Sequence, residues 1–134
     1  MKKGYTDNIE DRTLENTDFR RVLYTGAHLQ LVVMCLQPGE EIGAEVHPDI
    51  DQFFRVEEGT ATLLIDGVKH TLGHDQIAIV PAGAEHNVIN EGGEPLKLYT
   101  LYGPPEHRDG TVHATAEIAE KQHEADHYDG KPTE

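Results

Sequence analysis

Short apolar runs alternate with turn residues through the middle of the chain, between residues 19 and 103. The runs are rich in Val, Ile, Leu, Tyr and Phe, and no helical pattern separates them. Runs of this kind at a spacing of about 8–12 residues are typical of an all-β sandwich or barrel. The strands that we predict are Phe19–Tyr24, Leu29–Gln37, Ala44–His47, Gln52–Glu57, Ala61–Ile65, Val68–Leu72, Gln76–Val80, His86–Asn90 and Leu96–Tyr102.

Strong turn signals separate these strands, and polar segments flank them. Asp66-Gly67 joins two β-like runs and predicts a two-residue hairpin, because both residues accept positive φ. We divide the chain into an extended lead-in (1–18), the barrel (19–103) and a polar C-terminal tail (104–134). Within the tail, residues 114–125 are rich in helix formers and are compatible with one short helix or a mobile arm.

Composition and charge exclude several classes of protein. The 134 residues suffice for one domain, and no apolar run approaches the roughly 20 residues of a membrane span. Eleven Lys and Arg against 25 Asp and Glu give a net charge of −14, which disfavours partners such as nucleic acid or an anionic membrane surface. The lack of a signal-like apolar start and the single cysteine, Cys35 in an apolar run, predict a cytoplasmic protein with a buried structural thiol.

The segment from residue 38 to residue 59 carries the first group of candidate site residues. Glu45 and His47 share one face of a predicted strand, because side chains alternate along a strand with a period of two. A turn at residues 48–51 would bring Gln52 back beside His47. Phe54 and Val56 share the parity of Gln52, so this face passes from a polar mouth to an apolar interior.

The segment from residue 75 to residue 90 carries the second group. A turn at Pro81-Ala82-Gly83 leads into a strand that begins at His86. A barrel interior could therefore collect Glu45, His47, Gln52 and His86 at one level. Two imidazoles and one carboxylate, with room for water, form the ligand set of many divalent transition-metal sites.

These two segments resemble the paired motifs of the cupin superfamily. The first motif of that family is G-x5-H-x-H-x3,4-E-x6-G. In this chain Gly39 matches the leading glycine, Glu45 stands at the first His, His47 at the second, Gln52 at the Glu, and Gly59 closes the spacing.

The second cupin motif is G-x5-P-x-G-x2-H-x3-N. Asp75 stands at the leading glycine, and Pro81, Gly83, His86 and Asn90 match the remaining fixed positions. The motifs and the strands around them cover about residues 37 to 102. The ligand set is permuted, since a Glu replaces the first His and a neutral Gln replaces the usual carboxylate.

The resemblance implies a double-stranded β-helix, a jelly-roll-like barrel that holds a divalent transition metal (Fe, Mn, Ni or Zn). By position, the ligands implied are Glu45, His47, Gln52 and His86. Cupins commonly pair their sheets, so we also expect a homodimer to which the N-terminal strand region contributes. We interpret Asn90 as a hydrogen-bonding residue at a strand end rather than as part of the site.

The remaining histidines give weaker signals. We interpret His28, His70 and His74 as surface residues. His107, His113, His123 and His127 fall in the polar tail and are expected to be solvated, although His123 and His127 are spaced i, i+4 on a helix that could bind metal. Tyr99 and Tyr102 have opposite parity, so at most one of them faces the cavity.

Three functions fit this reading of the sequence. The first is an enzyme, such as a sugar or keto-acid isomerase, whose metal polarises a substrate carbonyl, with Glu45 as the only candidate acid or base. Arg55 has the parity opposite to Gln52, and the acidic chain disfavours phosphosugars, which need inward Lys or Arg. The second function is an Fe(II)-type dioxygenase. The third is a non-catalytic barrel that binds a small ligand.

Overall fold

The structure, a computed structural model, describes all residues from 1 to 134 and consists mainly of antiparallel strands. The strands are β1 (Arg20–Thr25), β2 (Gln30–Leu36), β3 (Glu45–Val46), β4 (Asp51–Glu58), β5 (Ala61–Ile65), β6 (Val68–Leu72), β7 (Ile77–Val80), β8 (Glu85–Ile89), β9 (Leu96–Gly103) and β10 (Val112–His113). The helices are α1 (Ile9–Glu15) and α2 (Ala116–Gln122). Neither helix is long or apolar enough to cross a membrane.

The strands form two sheets that enclose one core. The larger sheet has the order β10-β1-β2-β9-β4-β7, and the smaller sheet has the order β3-β8-β5-β6. Alternate residues of β9 are buried along its whole length, as a strand with one face on a core requires. This all-β arrangement is the double-stranded β-helix that the sequence predicts, and every predicted strand is present.

Turn residues behave as their sequence positions require. Asp66 and Gly67 have φ values of 46° and 80° and connect β5 to β6, which confirms the predicted hairpin. At Gly59, φ is 84° and an added Cβ would lie 2.6 Å from the backbone O of Pro95, so only glycine fits. Asp75 has a φ of 66°, a left-handed conformation that the glycine of the motif adopts without strain.

The lead-in is not extended throughout, because residues 9–15 form α1. Asn8 caps the helix by accepting a hydrogen bond from the backbone N of Asp11 (3.1 Å). The helix packs on the outer face of β2, β4 and β9, where Lys97 Nζ donates to the backbone O of Leu14. Thr13 is consequently fully buried.

The tail also differs from the prediction, because it returns to the barrel. Strand β10 pairs with β1 and extends the larger sheet, so the sheet does not end at residue 103. The side chain of Gln30 holds the returning chain by donating to the backbone O of His107 (2.7 Å) and accepting from its backbone N (3.0 Å). The prediction of a solvated tail is therefore wrong for His107 and His113, which are 5% and 1% exposed. The short helix compatible with residues 114–125 is present as α2.

Candidate metal centre

Register in the smaller sheet brings Glu45 and His86 together. Glu45 of β3 lies directly opposite His86 of β8 in the antiparallel pair, so the two side chains share one face. His47 follows on the same face, and its ring centroid is 5.3 Å from that of His86. One ligand atom from each of the three side chains lies within 4.8 Å of the others, so the group could hold a metal ion.

Gln52 approaches this group from the larger sheet. The turn after His47 carries the chain from β3 in one sheet to β4 in the other, so Gln52 faces His86 across the interior rather than pairing with β3. Its Oε1 lies 3.1 Å from His86 Nε2, and its Nε2 donates to Thr100 Oγ1 (3.0 Å). The side chain is 2% exposed, and Thr100 directs its carbonyl oxygen toward the centre.

The contact between Gln52 and His86 joins two acceptors. His86 Nδ1 lies 3.2 Å from the backbone O of Ala84, so in the neutral ring Nδ1 carries the proton and Nε2 carries the lone pair. That lone pair then faces Gln52 Oε1, which cannot donate. A metal ion beside both atoms would accept a lone pair from each of them. The donor set therefore fits a metal ion.

Glu45 and His47 also converge on a buried point that favours positive charge. His47 Nε2 is buried without a hydrogen-bond partner, although Glu45 Oε2 lies 2.9 Å away. Burial raises the pKa of Glu45, but contact with His47 outweighs burial and the net pKa is lowered. Burial lowers the pKa of His47, but the carboxylates of Glu45 and Glu106 outweigh it and the net pKa is raised.

Glu106 supports the centre from the returning chain, and the sequence analysis missed it. Its Oε2 lies 3.5 Å from His47 Nδ1, and its Oε1 lies 3.4 Å from His127 Nε2. A carboxylate on the far nitrogen of a ligating histidine fixes the ring and its tautomer, leaving Nε2 for a metal. Burial raises the pKa of Glu106, against the opposing effect of His47. No local pattern distinguishes Glu106 from the other acidic residues of the chain.

Tyr102 closes the inner wall of the centre. It is 1% exposed and its ring packs edge-on against His47, with centroids 6.1 Å apart, while its hydroxyl contacts His107 Nε2 at 3.2 Å. Burial raises the pKa of Tyr102 well above its ordinary value, so the phenol stays protonated and can donate. Tyr99 lies on the opposite face beside Phe53, as strand parity predicts.

Arg20 is a second residue that the sequence analysis missed. It is 4% exposed and lines a cavity of about 600 Å³ together with Glu45. Strand parity could have identified it, because Arg20 and Val22 lie on the same face of β1 and both are buried. Arg55, by contrast, faces outward as predicted and pairs with Glu57 and Asp75.

The other singled-out residues lie away from the centre. Asn90 is fully buried and donates to the backbone O of Leu36 and of Glu94, which confirms its role at a strand end. Cys35 is buried and free, and burial raises its pKa. His28, His70 and His74 are exposed, as predicted.

The predicted helical pair of tail histidines is only partly formed. Helix α2 ends at Gln122, so His123 caps it and His127 lies beyond it in a bridge with His107. The rings of His123 and His127 are nevertheless 4.8 Å apart. His127 contacts the carboxylate of Glu106, and it does not form a separate metal-binding group with His123.

The chain is similar to several known proteins. It is 45% identical to YrkC of Bacillus subtilis over 84% of this chain, and it spans 64% of the length of that protein. Protein BH2720 of Bacillus halodurans has a structure similar to this one (TM-score 0.87), with 46% identity over 89% of this chain and 95% of that chain. An RmlC-like cupin from Shewanella frigidimarina shares the fold (TM-score 0.58), with 24% identity over 63% of this chain and 74% of that chain.

The family assignment rests on the strand order, the two motif segments and a direct match to a family model. The model for the Cupin domain matches residues 32–102, which run from within β2 to within β9 and include all four candidate ligands. Three motif positions in this region carry unusual residues: Glu45, Gln52 and Asp75. Glu45 and Gln52 nevertheless lie beside His86, and Asp75 adopts the positive φ of the glycine that it replaces. The chain therefore belongs to the cupin superfamily.

Proposed function

We propose that the protein binds one divalent transition metal ion through Glu45, His47 and His86, with Gln52 as a fourth ligand, and acts on a small oxygen-rich substrate. The observation that carries this proposal is the convergence of Glu45, His47 and His86, whose ligand atoms all lie within 4.8 Å of one another. The metal would be Fe, Mn, Ni or Zn, since imidazole and carboxylate ligands suit all four.

The proposed chemistry is isomerisation of a hydroxy-carbonyl or keto-acid substrate. A bound metal ion supplies Lewis acidity, which makes the protons beside a chelated carbonyl more acidic. Glu45 lines the cavity through which such a substrate enters, and it is the candidate group to move a proton. Glu106 would keep the His47 ring in place during this step, and the protonated hydroxyl of Tyr102 packs beside that ring.

Oxygen chemistry is the second candidate. Two histidines and one carboxylate on one side of an ion leave positions open for a substrate and for O₂, which is the ligand set of non-haem Fe(II) oxygenases. Glu45, His47 and His86 make up that set. A barrel that only binds its ligand is the third candidate, because the cupin fold supports catalytic and non-catalytic members alike.

The test begins with elemental analysis of the protein as purified, which should find one metal equivalent per chain. The loaded protein is then incubated in D₂O with a panel of ketoses and α-keto acids, and proton exchange next to the carbonyl is followed by NMR without oxygen. Exchange that His86→Ala lacks supports the isomerase. Oxygen uptake with the same panel supports the dioxygenase, whereas saturable binding without turnover supports the binding barrel. A metal-free protein that gains no metal on dialysis would contradict both metal-dependent functions, the isomerase and the dioxygenase.

A further inference from the structure

Arg20 is a buried cation that pairs directly with no carboxylate, although its charge helps to lower the pKa of Glu45. Its side chain enters the interior from β1, yet it forms no ion pair with any carboxylate of the chain, and its Nε has no hydrogen-bond partner. Its neighbour along the strand, Arg21, shows the ordinary arrangement: a half-exposed side chain that pairs with Asp18 at 3.0 Å. An unpaired buried charge is strongly unfavourable, so Arg20 requires an explanation that Arg21 does not.

The hydrogen-bond partner of Arg20 is a neutral imidazole, and its guanidinium also lies over the Phe19 ring, 5.4 Å from the ring centroid. Nη1 lies 3.2 Å from His113 Nδ1, and His113 Nε2 lies 2.7 Å from Asp126 Oδ2. Because a guanidinium can only donate, Nδ1 must accept and the ring proton must lie on Nε2, directed at Asp126. The neutral imidazole therefore separates the guanidinium from the Asp126 carboxylate. This chain of contacts holds Arg20 in position without neutralising it at close range.

The guanidinium belongs to the wall of the cavity beside the metal centre. That cavity, of about 600 Å³, lies between β1, the segment from Glu41 to Glu45, and α2, which forms its outer wall. Arg20 and Glu45 both line this cavity, whereas His47 and His86 do not, so a small molecule in the cavity lies beside the cation and beside one ligand of the proposed metal. The volume lies in the range of small-molecule sites, about 300–1,000 Å³.

The acidic residues of the wall limit the charge of the occupant. Glu41 accepts a hydrogen bond from Asn87 (3.1 Å), and Glu117 is paired with Lys121 (3.0 Å), but Glu120 stays exposed with no such partner. The buried guanidinium of Arg20 can match one negative charge, whereas the surrounding carboxylates disfavour any further negative charge on the occupant. A doubly charged phosphate would meet net repulsion, whereas a carboxylate pairs with a guanidinium through two parallel hydrogen bonds.

We propose that Arg20 binds the carboxylate of a small α-hydroxy or α-keto acid whose neighbouring oxygen lies at the Glu45–His47–His86 centre. This inference rests on the proposed function, which it narrows from oxygen-rich substrates to small carboxylic acids. Arg20 orients the substrate and makes the site specific for carboxylates. His113 and Asp126 are positioning residues for its guanidinium.

The test compares two probes that differ only in charge. Glycolate and glycolamide present the same hydroxyl and carbonyl oxygens to a metal, but only glycolate is an anion. Each is titrated into Co²⁺-loaded protein, and binding is followed by the visible absorption of the cobalt. The variants are Arg20→Gln, Arg20→Lys, which keeps the charge, and Arg21→Gln as the matched control on the opposite face of β1. Cobalt content is measured for every variant and reports whether the centre has formed.

We expect Arg20→Gln to retain its cobalt and to bind glycolate about tenfold or more weakly, the loss typical of one charged hydrogen-bonding partner. Glycolamide should bind the two proteins equally. Arg20→Lys should fall between them, and Arg21→Gln should match the parent. Unchanged glycolate affinity in the cobalt-loaded Arg20→Gln, or an equal loss for both probes, would overturn the anion site and leave the metal centre intact. Failure of the parent protein to take up cobalt would overturn the proposed function itself.

Discussion

Glu45 is the only carboxylate in the group of ligand atoms that converge at the centre. Gln52 stands where the cupin motif has its glutamate, yet the net charge of the ligand set is preserved because Glu45 replaces a histidine. The charge that balances a divalent ion has thus moved from the larger sheet to the smaller sheet, from β4 to β3. At the scale of single residues, the two positions should therefore respond oppositely to a change of charge.

Exchanging charge at these positions tests the permuted ligand set. Glu45→Gln leaves only neutral ligands, and metal affinity should fall about 100-fold or more, beyond the 10–100-fold typical for loss of a supporting residue. Gln52→Glu adds an anion and should bind metal at least as tightly as the parent. Both affinities are measured in one chelator competition. If Glu45→Gln binds like the parent while Gln52→Ala loses the metal, Glu45 is not a ligand.

Glu106 should act through His47 rather than on the metal itself. Glu106→Gln keeps the shape of the side chain but removes the charge that faces His47 Nδ1 at 3.5 Å. We expect metal affinity to fall about 10-fold, within the range for residues that orient a ligating histidine. Glu124→Gln, at an exposed position of the same C-terminal segment, is the matched control. Equal affinities for the two variants in the same competition would show that Glu106 does not support the centre.

At the scale of elements, the returning chain after β9 joins the barrel through buried polar groups. His107 lies in this segment and is held by the Gln30 side chain and the Tyr102 hydroxyl. Burial, reinforced by the positive charge of Arg20, keeps the pKa of His107 well below its ordinary value. His107 therefore stays neutral in the folded protein under conditions that protonate it in the unfolded chain.

This difference predicts a specific loss of stability in acid. Below the unfolded pKa of about 6.5, the unfolded state gains a proton at His107 that the folded state excludes, so the free energy of unfolding falls as pH decreases. Above that pH, His107 is neutral in both the folded and the unfolded state, and this loss of stability is absent. His107→Asn removes the titrating group, and its urea unfolding should lose less stability between pH 7 and pH 5 than that of the parent. Parallel pH profiles for the two proteins would contradict the assignment.

The sequence predicts some elements well because their signals are local. The strands from β1 to β9 follow from period-two alternation and from turn residues such as Asp66-Gly67, and the motif spacing places Glu45, His47 and His86 together. The tail was misjudged because its burial depends on contacts with residues far away in sequence. Gln30 holds the returning chain at His107, although the two residues are 77 positions apart in the sequence. No pattern within residues 104–113 predicts that contact. Glu106 was missed for the same reason.

At the scale of the whole molecule, the outer face of the larger sheet is only partly covered. Helix α1 packs over β2, β4 and β9, and Val33 and Cys35 on that face are 1% and 3% exposed. One part of the remaining face is apolar: Phe53 lies opposite Ile79 on one side and Leu101 on the other, and Ile79 is 62% exposed. Apolar surface of this kind at an edge strand is typical of a protein–protein contact.

We propose that this face forms a homodimer interface, to which β1 and β2 of the same sheet contribute. The parent protein should sediment with about twice the chain mass of 14.9 kDa at micromolar concentration. Ile79→Lys buries a charge in the interface and should sediment as a monomer, whereas Val68→Lys, at an exposed apolar position of the smaller sheet, should not change the mass. A parent mass near that of one chain throughout the micromolar range would rule out the dimer.

The central claim is that a single metal ion is held by groups from both motif segments. The most direct measurement is elemental analysis, after gel filtration against a weak chelator, of the parent, His47→Ala, His86→Ala and the exposed control His70→Ala. We predict one metal equivalent per chain in the parent and in His70→Ala, and a small fraction of that in the other two, since each loses an imidazole ligand. A full equivalent of tightly held metal in either His47→Ala or His86→Ala would contradict the account.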